Sequence, residues 1–588
     1  MSGGFAHGFM FDKSAFFRDY TDSNVVICRA AGGMIKNKET GNMVLGNDQT
    51  EGSGANSLRN NMANYNPVVL ITGADNPTLP CKPPHIYNVL DYFKPTHIWH
   101  EKSKGKTVIR YRFEKLNLDK PSWWKVDEEP VALGALPAPV LKDCAICKAP
   151  SPQVYLQGWM CLQPSCRAHW KLAGGAEPNE DELLYDPRFL KQRTAWPNEN
   201  EEYPLTPADV MLSSHALPGE DRLRACWAGI VCPECGRCTT RLAWLAWECP
   251  CGFKKEPPQM LLPATTLRDP FFTLSHAYTA SRDIRAPAVK LEVSFQDRYR
   301  INKYILPGID GFVAHLVANK PIVEEAGGPD EMFEELQTHD IGLRRRPMEN
   351  GQLKGGSFTR HFLVNYGMPY KFIAATASRS FDGAARPITS TRSRLNWASK
   401  LMVGNQHREF NEVLALGYFE QQKIGYHDDG EYGLGPTITT LSLGATGTMR
   451  LRMKATHHHG VSASGVFNET VPKPGCEKYA ERLAALPELE ALKGSADYRV
   501  RLKTLPKELG LRRSGTARDA LTMTLGHGDI VIMHGADIQR YYEHSVDHGG
   551  NLRFALTCRY IDPESLQPAD RPTYEVGPDT GVYDGSKV

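Results

Sequence analysis

Between Tyr418 and Arg559 the chain alternates β-type runs with glycines, and this stretch limits the possible folds most. Pro436-Thr-Ile-Thr-Thr-Leu-Ser-Leu-Gly444 reads as a β-branched strand ending in glycine. Met449, Leu451 and Met453 alternate with Arg450, Arg452 and Lys454, the pattern of a half-buried strand. Gly528 and Gly535 bound a third apolar run. In the last strand Arg553, Ala555, Thr557 and Arg559 share one face, and Phe554, Leu556 and Cys558 share the other.

Polar residues sit at chosen points in this series. On an extended chain, residues two apart point to the same side, so His427 and Asp429 can aim an imidazole and a carboxylate at one point. A distant histidine, His544, completes a 2-His-1-carboxylate set that leaves positions on Fe(II) open for a chelating co-substrate and oxygen. His-x-Asp alone also suits a polar turn. Arg553 and Arg559, on a face of small residues, give a positively charged cavity suited to a dicarboxylate, because a guanidinium clamps a carboxylate at two points.

The order is Tyr418, His427-x-Asp429 nine positions on, Ser442-Leu-Gly444, His527-Gly-Asp529, His544-Ser-Val546, then Arg553-x5-Arg559. This resembles the AlkB branch of the Fe(II)/2-oxoglutarate dioxygenases over roughly residues 355–562, about a third of the chain. The resemblance implies that His427, Asp429 and His544 are catalytic and bind iron. It implies that Arg553 grips the distal carboxylate of 2-oxoglutarate, that Arg559 lies near its metal-bound end, and that Tyr418 donates its hydroxyl. Two features depart from the family. Leu416 stands where an Asn is usual, so a polar contact is missing or replaced. The interval from Gly535 to His544 is long, which keeps His548 as a rival to His544.

The chain has 588 residues, enough for several domains, and is 41% hydrophobic and 23% charged. A net charge of +2 excludes a wholly basic nucleic-acid coat, though not a local basic face. No apolar run approaches the ~20 residues that span a bilayer. The N-terminus lacks the pattern of a secretory signal. These features predict a nuclear or cytoplasmic protein, nucleus ahead of cytoplasm, with no membrane partner. Cysteines there serve metals more than disulfides.

Cys144-x2-Cys147 is followed after thirteen residues by Cys161 and then Cys166. Cys232-x2-Cys235 is followed, again after thirteen, by Cys249 and Cys251, and each third cysteine has a Trp two before it. The repeat predicts two structural Zn(II) sites of zinc-ribbon type, each with four protein ligands and so no open position for water. Cys226, Cys238 and His169 are spare candidates, and a cross-braced partition is open.

Residues 1–83 read as an irregular N-terminal segment, poor in material to bury up to about Asn66, with short strand candidates at Val25–Cys28 and Val68–Ile71. Residues 84–140 form a small β-containing region (strand Thr107–Phe113, anchor Trp123-Trp124), 141–256 the zinc-binding region, and 257–345 an α/β connection with strands at Val289–Val293 and Gly311–Val317 and a helix near Pro329–Leu336. Arg344, Arg345, Arg346, Lys354 and Arg360 make a basic run, either solvated or in contact with phosphate. Residues 346–562 form the dioxygenase region with an insertion at about 455–520, which contains a helix near Ala480–Lys493. His457, His458 and His459 read as a solvated loop. Residues 563–588 read as a frayed tail.

Tyr366, Tyr370 and Arg379 fall where the AlkB family keeps its nucleotide lid. Rings beside basic groups suit an unstacked base, and capping the barrel is the alternative. The expected fold is α+β: a double-stranded β-helix of jelly-roll type with a helical buttress, plus an N-terminal zinc-ribbon region. The implied function is oxidative demethylation of a methylated base in DNA or RNA, with Fe(II), 2-oxoglutarate as co-substrate and structural Zn(II). The alternatives are 5-methylcytosine oxidation, protein hydroxylation or demethylation, and a non-catalytic zinc-dependent nucleic-acid-binding module.

Overall fold

The structure, a computed structural model, describes residues 3–12, 15–36, 43–125, 137–199, 201–205, 229–256, 261–267, 280–348, 357–370, 378–419, 422–512, 515–549 and 552–586. It divides into two compact units, Met1–Thr206 and Pro207–Val588. The boundary falls inside the region expected to be one cysteine-rich block. The two cysteine repeats therefore belong to different units.

The first unit is built on a six-stranded sheet. Its order is Gly8–Phe11, Val68–Gly73, Tyr87–Ser103, Lys106–Lys115, Val25–Arg29 and Tyr20–Thr21. This corrects the expectation of an irregular segment at 1–66. Apolar residues are sparse there, but those present are fully used: Val26, Ala55, Leu58, Phe93, Phe113 and Trp124 share one core. Polar side chains replace part of the missing apolar surface. The helix Ser53–Ala63 buries Asn61, whose amide accepts from Ala6 N and donates to Ala6 O, both at 2.8 Å. A buried amide paired this way costs little.

The second unit holds two sheets. The larger runs Lys290–Gln296, Tyr299–Ile305, Phe312–Val317, Ile530–His534, Leu434–Gly444, Arg553–Ile561, Glu412–Tyr418, Phe362–Gly367 and Ser378–Arg379. The smaller runs Gln422–His427, Tyr542–His548, Gly447–Met453 and Asp519–Leu525. Helices Pro329–Thr338 and Arg386–Val403 bury Phe333, Leu336, Ile388 and Leu395 in the core that also takes Leu441, Ile532 and Phe554 of the larger sheet. The residues read as a connection at 257–345 therefore supply three strands of this sheet. Asp529 makes the join: its carboxylate accepts from Ala318 N and Gly526 N and pairs with His315 Nε2 at 2.9 Å.

Two more expectations are corrected. The tail is not frayed, because Tyr583 meets Tyr299 and the Arg394 guanidinium, and Asp579 accepts from Ser393 and Asn396. The histidine run is a single helical turn, Ala455–His459, and His459 is buried. Among the described residues, no helix is long and apolar enough to cross a membrane.

Candidate active site

The smaller sheet brings two histidines together. His427 and His544 are register partners on adjacent antiparallel strands, with ring centroids 4.2 Å apart. The register shifts between Ile424 and His427, an irregularity of the kind that re-aims a side chain. His427 Nδ1 donates to Gly425 O at 2.8 Å, and its Nε2 lies 3.9 Å from Asp429 Oδ1. Asp429 N donates to Gln539 Oε1 at 3.0 Å, so a helix after the larger sheet's second-last strand positions this turn. Ligand atoms of His427, Asp429 and His544 all lie within 4.8 Å of one another. Two facial ligands at about 2.1 Å from one ion lie about 3.0 Å apart, so the 3.9 Å pair would close by roughly 1 Å around it.

His548 is not part of this group. It lies four residues along the strand from His544, with its ring 4.2 Å from Tyr418. It is buried, neither ring nitrogen has a hydrogen-bond partner among the described residues, and burial pushes it down to about 4. Leu416 packs with the apolar cluster of Leu363 and Leu414 and supplies no polar contact. His548 and Tyr418 are the polar groups at that end instead.

The two arginines take different environments because their strand neighbours differ. Tyr418 and Gly444 flank Arg553; Glu412 and Ile438 flank Arg559. Arg553 is 1% exposed and donates to Ala445 O at 2.9 Å and Ser442 Oγ at 2.8 Å. A Cβ on Gly447 would sit 3.0 Å from its Cζ, so that glycine makes room for it. Burial lowers Arg553 to about 10, still charged at neutral pH. Arg559 lies 3.6 Å from Asp429 Oδ1 and 3.4 Å from Glu412 Oε2, and stacks on Tyr370 at 4.1 Å. Burial pushes Asp429 up, but Arg559, His544 and His427 outweigh it and hold the carboxyl below its usual range. Burial pushes Glu412 up to about 8 against the pull of Arg559. The negative charge facing Arg559 therefore sits on Asp429.

The expected nucleotide contacts fare unequally. Tyr366 is a core residue, 4% exposed, with its hydroxyl on Ile341 O at 2.9 Å, so it cannot serve a lid. Tyr370 reaches the site, yet against a candidate ligand: its hydroxyl donates to Asp429 Oδ1 at 3.3 Å. Arg379 is exposed on the edge strand, with its guanidinium over Gly342. Residues 371–377, Lys354 and Cys226 lie outside the described residues. In the basic run, Arg344 pairs with Glu248 at 2.6 Å and Arg345 lies over Phe362. Glu412 and Gln539 were not anticipated. Glu412 could have been: it lies six before Tyr418, as Arg559 lies six after Arg553, so pairing one end of the strands pairs the other.

The cysteines form two groups, Cys144/Cys147/Cys161/Cys166 and Cys232/Cys235/Cys249/Cys251. Their Sγ–Sγ distances include 3.8, 3.7, 3.5 and 3.5 Å. A tetrahedral ion with ~2.3 Å Zn–S bonds places sulfurs about 3.8 Å apart. Cys238 is exposed and outside both groups, and His169 bonds His100 O instead. The second group is anchored to the oxygenase core by Trp244, which stacks on Phe419 at 4.0 Å and packs over Gly417.

Residues 334–559 match the model of the 2OG-Fe(II) oxygenase superfamily. Among curated proteins none matches the chain significantly. Of solved structures, that of OsALKBH1 is similar at 12% identity over 46% of this chain and 100% of its own, TM-score 0.20. The SUVH5 SRA complex with fully methylated CG DNA is similar at 23% identity over 19% of this chain, TM-score 0.15, and KRYPTONITE in complex with mCHG DNA and SAH at 23% over 19%, TM-score 0.16. The matched segment spans 64% of the SUVH5 chain and 23% of the KRYPTONITE chain. These likenesses are local, and the site assignment does not rest on them. The superfamily match covers the triad and both arginines, and it supports the resemblance drawn from their order.

Proposed function

We propose that this domain oxidatively demethylates an N-methylated base in DNA or RNA. The observation that carries the oxygenase chemistry is Arg553: a buried cation whose only hydrogen-bond partners among the described residues are two neutral oxygens. Such a charge calls for an anion, and a dicarboxylate bound beside the triad supplies one. In this reading His427, Asp429 and His544 hold Fe(II). Arg553 and Tyr418 take the distal carboxylate of 2-oxoglutarate, with His548 beside them. Arg559 keeps Asp429 ionised and aligned. The larger and smaller sheets, with the two histidines on the smaller and the arginines on the larger, support a double-stranded β-helix. The two cysteine groups are proposed as structural zinc sites, and Cys249→Ser should cost one zinc per chain by metal analysis; unchanged zinc would refute that site.

With oxygen, iron and 2-oxoglutarate together supply the oxidising power, yielding succinate and carbon dioxide and turning N–CH3 into N–CH2OH. The hydroxymethyl group then leaves as formaldehyde, and nitrogen regains a hydrogen. The chain's own task is to bind, orient and exclude water. The base itself must be single-stranded or flipped out to reach iron.

Support for a base substrate comes from the AlkB-like motif order and from Tyr432. Three residues beyond Asp429, its ring is 91% exposed. An exposed ring three residues from a candidate metal ligand suits stacking on an unpaired base, worth about 1–3 kcal/mol. Tyr432→Ala should raise KM for a methylated oligonucleotide about tenfold and leave the 2-oxoglutarate requirement unchanged. An unaltered KM would remove this residue from the substrate path. The reading as a whole is tested by mass spectrometry of nucleosides, with formaldehyde measured in parallel, after incubation with a panel of methylated DNA and RNA oligonucleotides. Hydroxymethylcytosine without formaldehyde would instead mark a 5-methylcytosine oxidase, and no change in any oligonucleotide would sink the nucleic-acid assignment. A nuclear or cytoplasmic site of action is part of this proposal.

A further inference from the structure

The insertion between the strands Gly447–Met453 and Asp519–Leu525 is a small body of its own. The core shared by its helices Tyr479–Leu492 and Ala496–Glu508 is small, with Phe467, Ala485, Leu489 and Leu505 as its buried apolar residues among those described. A body this small is short of apolar area, and small bodies of this kind usually need a staple.

A group of metal-ligand side chains lies at its base. His458 and His459 end the turn Ala455–His459, and Glu477 precedes the first long helix. One ligand atom from each lies within 4.8 Å of the other two. His459 Nδ1 is 2.9 Å from Glu477 Oε2, and the two imidazole rings are 4.9 Å apart. His459 is 5% exposed, and its Nε2 is buried with no hydrogen-bond partner among the described residues. The returning chain closes on that ring: a Cβ on Gly515 would sit 3.3 Å from Nε2.

The backbone around the three ligands is fixed independently of any ion. Glu477 N donates to His458 O at 2.9 Å. Arg482, 1% exposed, donates from one nitrogen to His457 O, His458 O and Glu477 O at 3.0, 3.2 and 3.3 Å. Gly460, at φ +71°, ends the turn and leaves room for that guanidinium, which a Cβ would strike. The three side chains are thus presented on a preformed frame. An ion pair between His459 and Glu477 accounts for two of them. It does not account for His458 or for the orphan nitrogen.

We propose that His458, His459 and Glu477 bind a divalent cation of zinc type, with water completing the coordination, and that this ion staples the insertion to the oxygenase sheet. Two imidazoles and one carboxylate suit zinc better than the all-oxygen preference of calcium or magnesium. The site is separate from both cysteine groups and from the iron triad.

The test uses the full chain carrying Asp429→Ala, so that the iron triad does not compete. The protein is dialysed against zinc buffered at about 0.1 μM free, where a site fills only if its Kd is near or below that value. Zinc is then counted by mass spectrometry. The proposal expects about three zinc per chain and one fewer after Glu477→Gln or His458→Ala. The same count with and without those substitutions overturns it. Hydrogen exchange over 455–510 gives the second readout. Zinc should slow exchange there in the parent chain and not in the Glu477→Gln chain, whose cysteine groups still load. Equal protection in both overturns the staple even if zinc is lost.

Discussion

Asp429→Ala is expected to abolish 2-oxoglutarate-dependent succinate formation while the unit stays folded. Asp429 is the only anion among the three residues facing the proposed iron, and it also balances Arg559, 3.6 Å away. Its removal takes one ligand from the ion and takes from Arg559 a carboxylate 3.6 Å away, leaving Glu412 at 3.4 Å. Two imidazoles alone hold Fe(II) weakly, since ferrous iron stands low in the affinity order of divalent metals. Asp429→Asn separates shape from charge: it can still accept a hydrogen bond from Tyr370 and should be nearly as inactive. Both variants should still unfold as one cooperative unit but melt below wild type, because the buried Arg559 guanidinium loses a carboxylate 3.6 Å away. Succinate release measured with and without a methylated oligonucleotide checks this. Turnover above a few per cent in either variant would place the iron elsewhere.

What could be read beforehand follows from where the physical signal is dense. Strands with strict alternation, such as Met449–Met453 and Arg553–Arg559, appear within a residue or two of their expected bounds. Cys-x2-Cys spacing is equally legible, since a tight turn alone places two sulfurs together, and the groups in the structure follow it. Three kinds of information were hidden. The N-terminal sheet buries amides and ion pairs, such as Arg112 with Glu114, both buried, so its composition looks like that of a loop. Short polar runs change character with their surroundings: His457-His-His459 is exposed by pattern, yet Arg482 and Gly515 enclose it from segments far along the chain. Aromatic position also misleads. Tyr366 and Tyr370 stand four apart, yet one ends in the core and the other on Asp429, because the strand ends between them at Gly367, where φ is +79°.

Arg553→Ala is expected to raise the 2-oxoglutarate requirement by about 30- to 5,000-fold, with little change in kcat once co-substrate is saturating. The range is the 2–5 kcal/mol lost when one member of a buried, hydrogen-bonded charge pair is removed. The argument rests on what Arg553 lacks. It is buried between Tyr418 and Gly444, bonded to Ala445 O and Ser442 Oγ, with no carboxylate in ion-pair range among the described residues. Leaving a guanidinium in that state costs several kcal/mol, and a bound dicarboxylate offsets it. The co-substrate should therefore stabilise wild type against heat far more than it stabilises the variant. Arg553→Lys sharpens the test. It keeps the charge but loses the planar fork and cannot hold both Ser442 Oγ and a carboxylate, so it should recover only part of the affinity. Both quantities come from one titration, with succinate release giving the kinetic requirement and the melting shift giving binding. If Arg553→Ala leaves both unchanged, the distal carboxylate is held elsewhere, and His548, whose ring lies 4.2 Å from that of Tyr418, is the next residue to substitute.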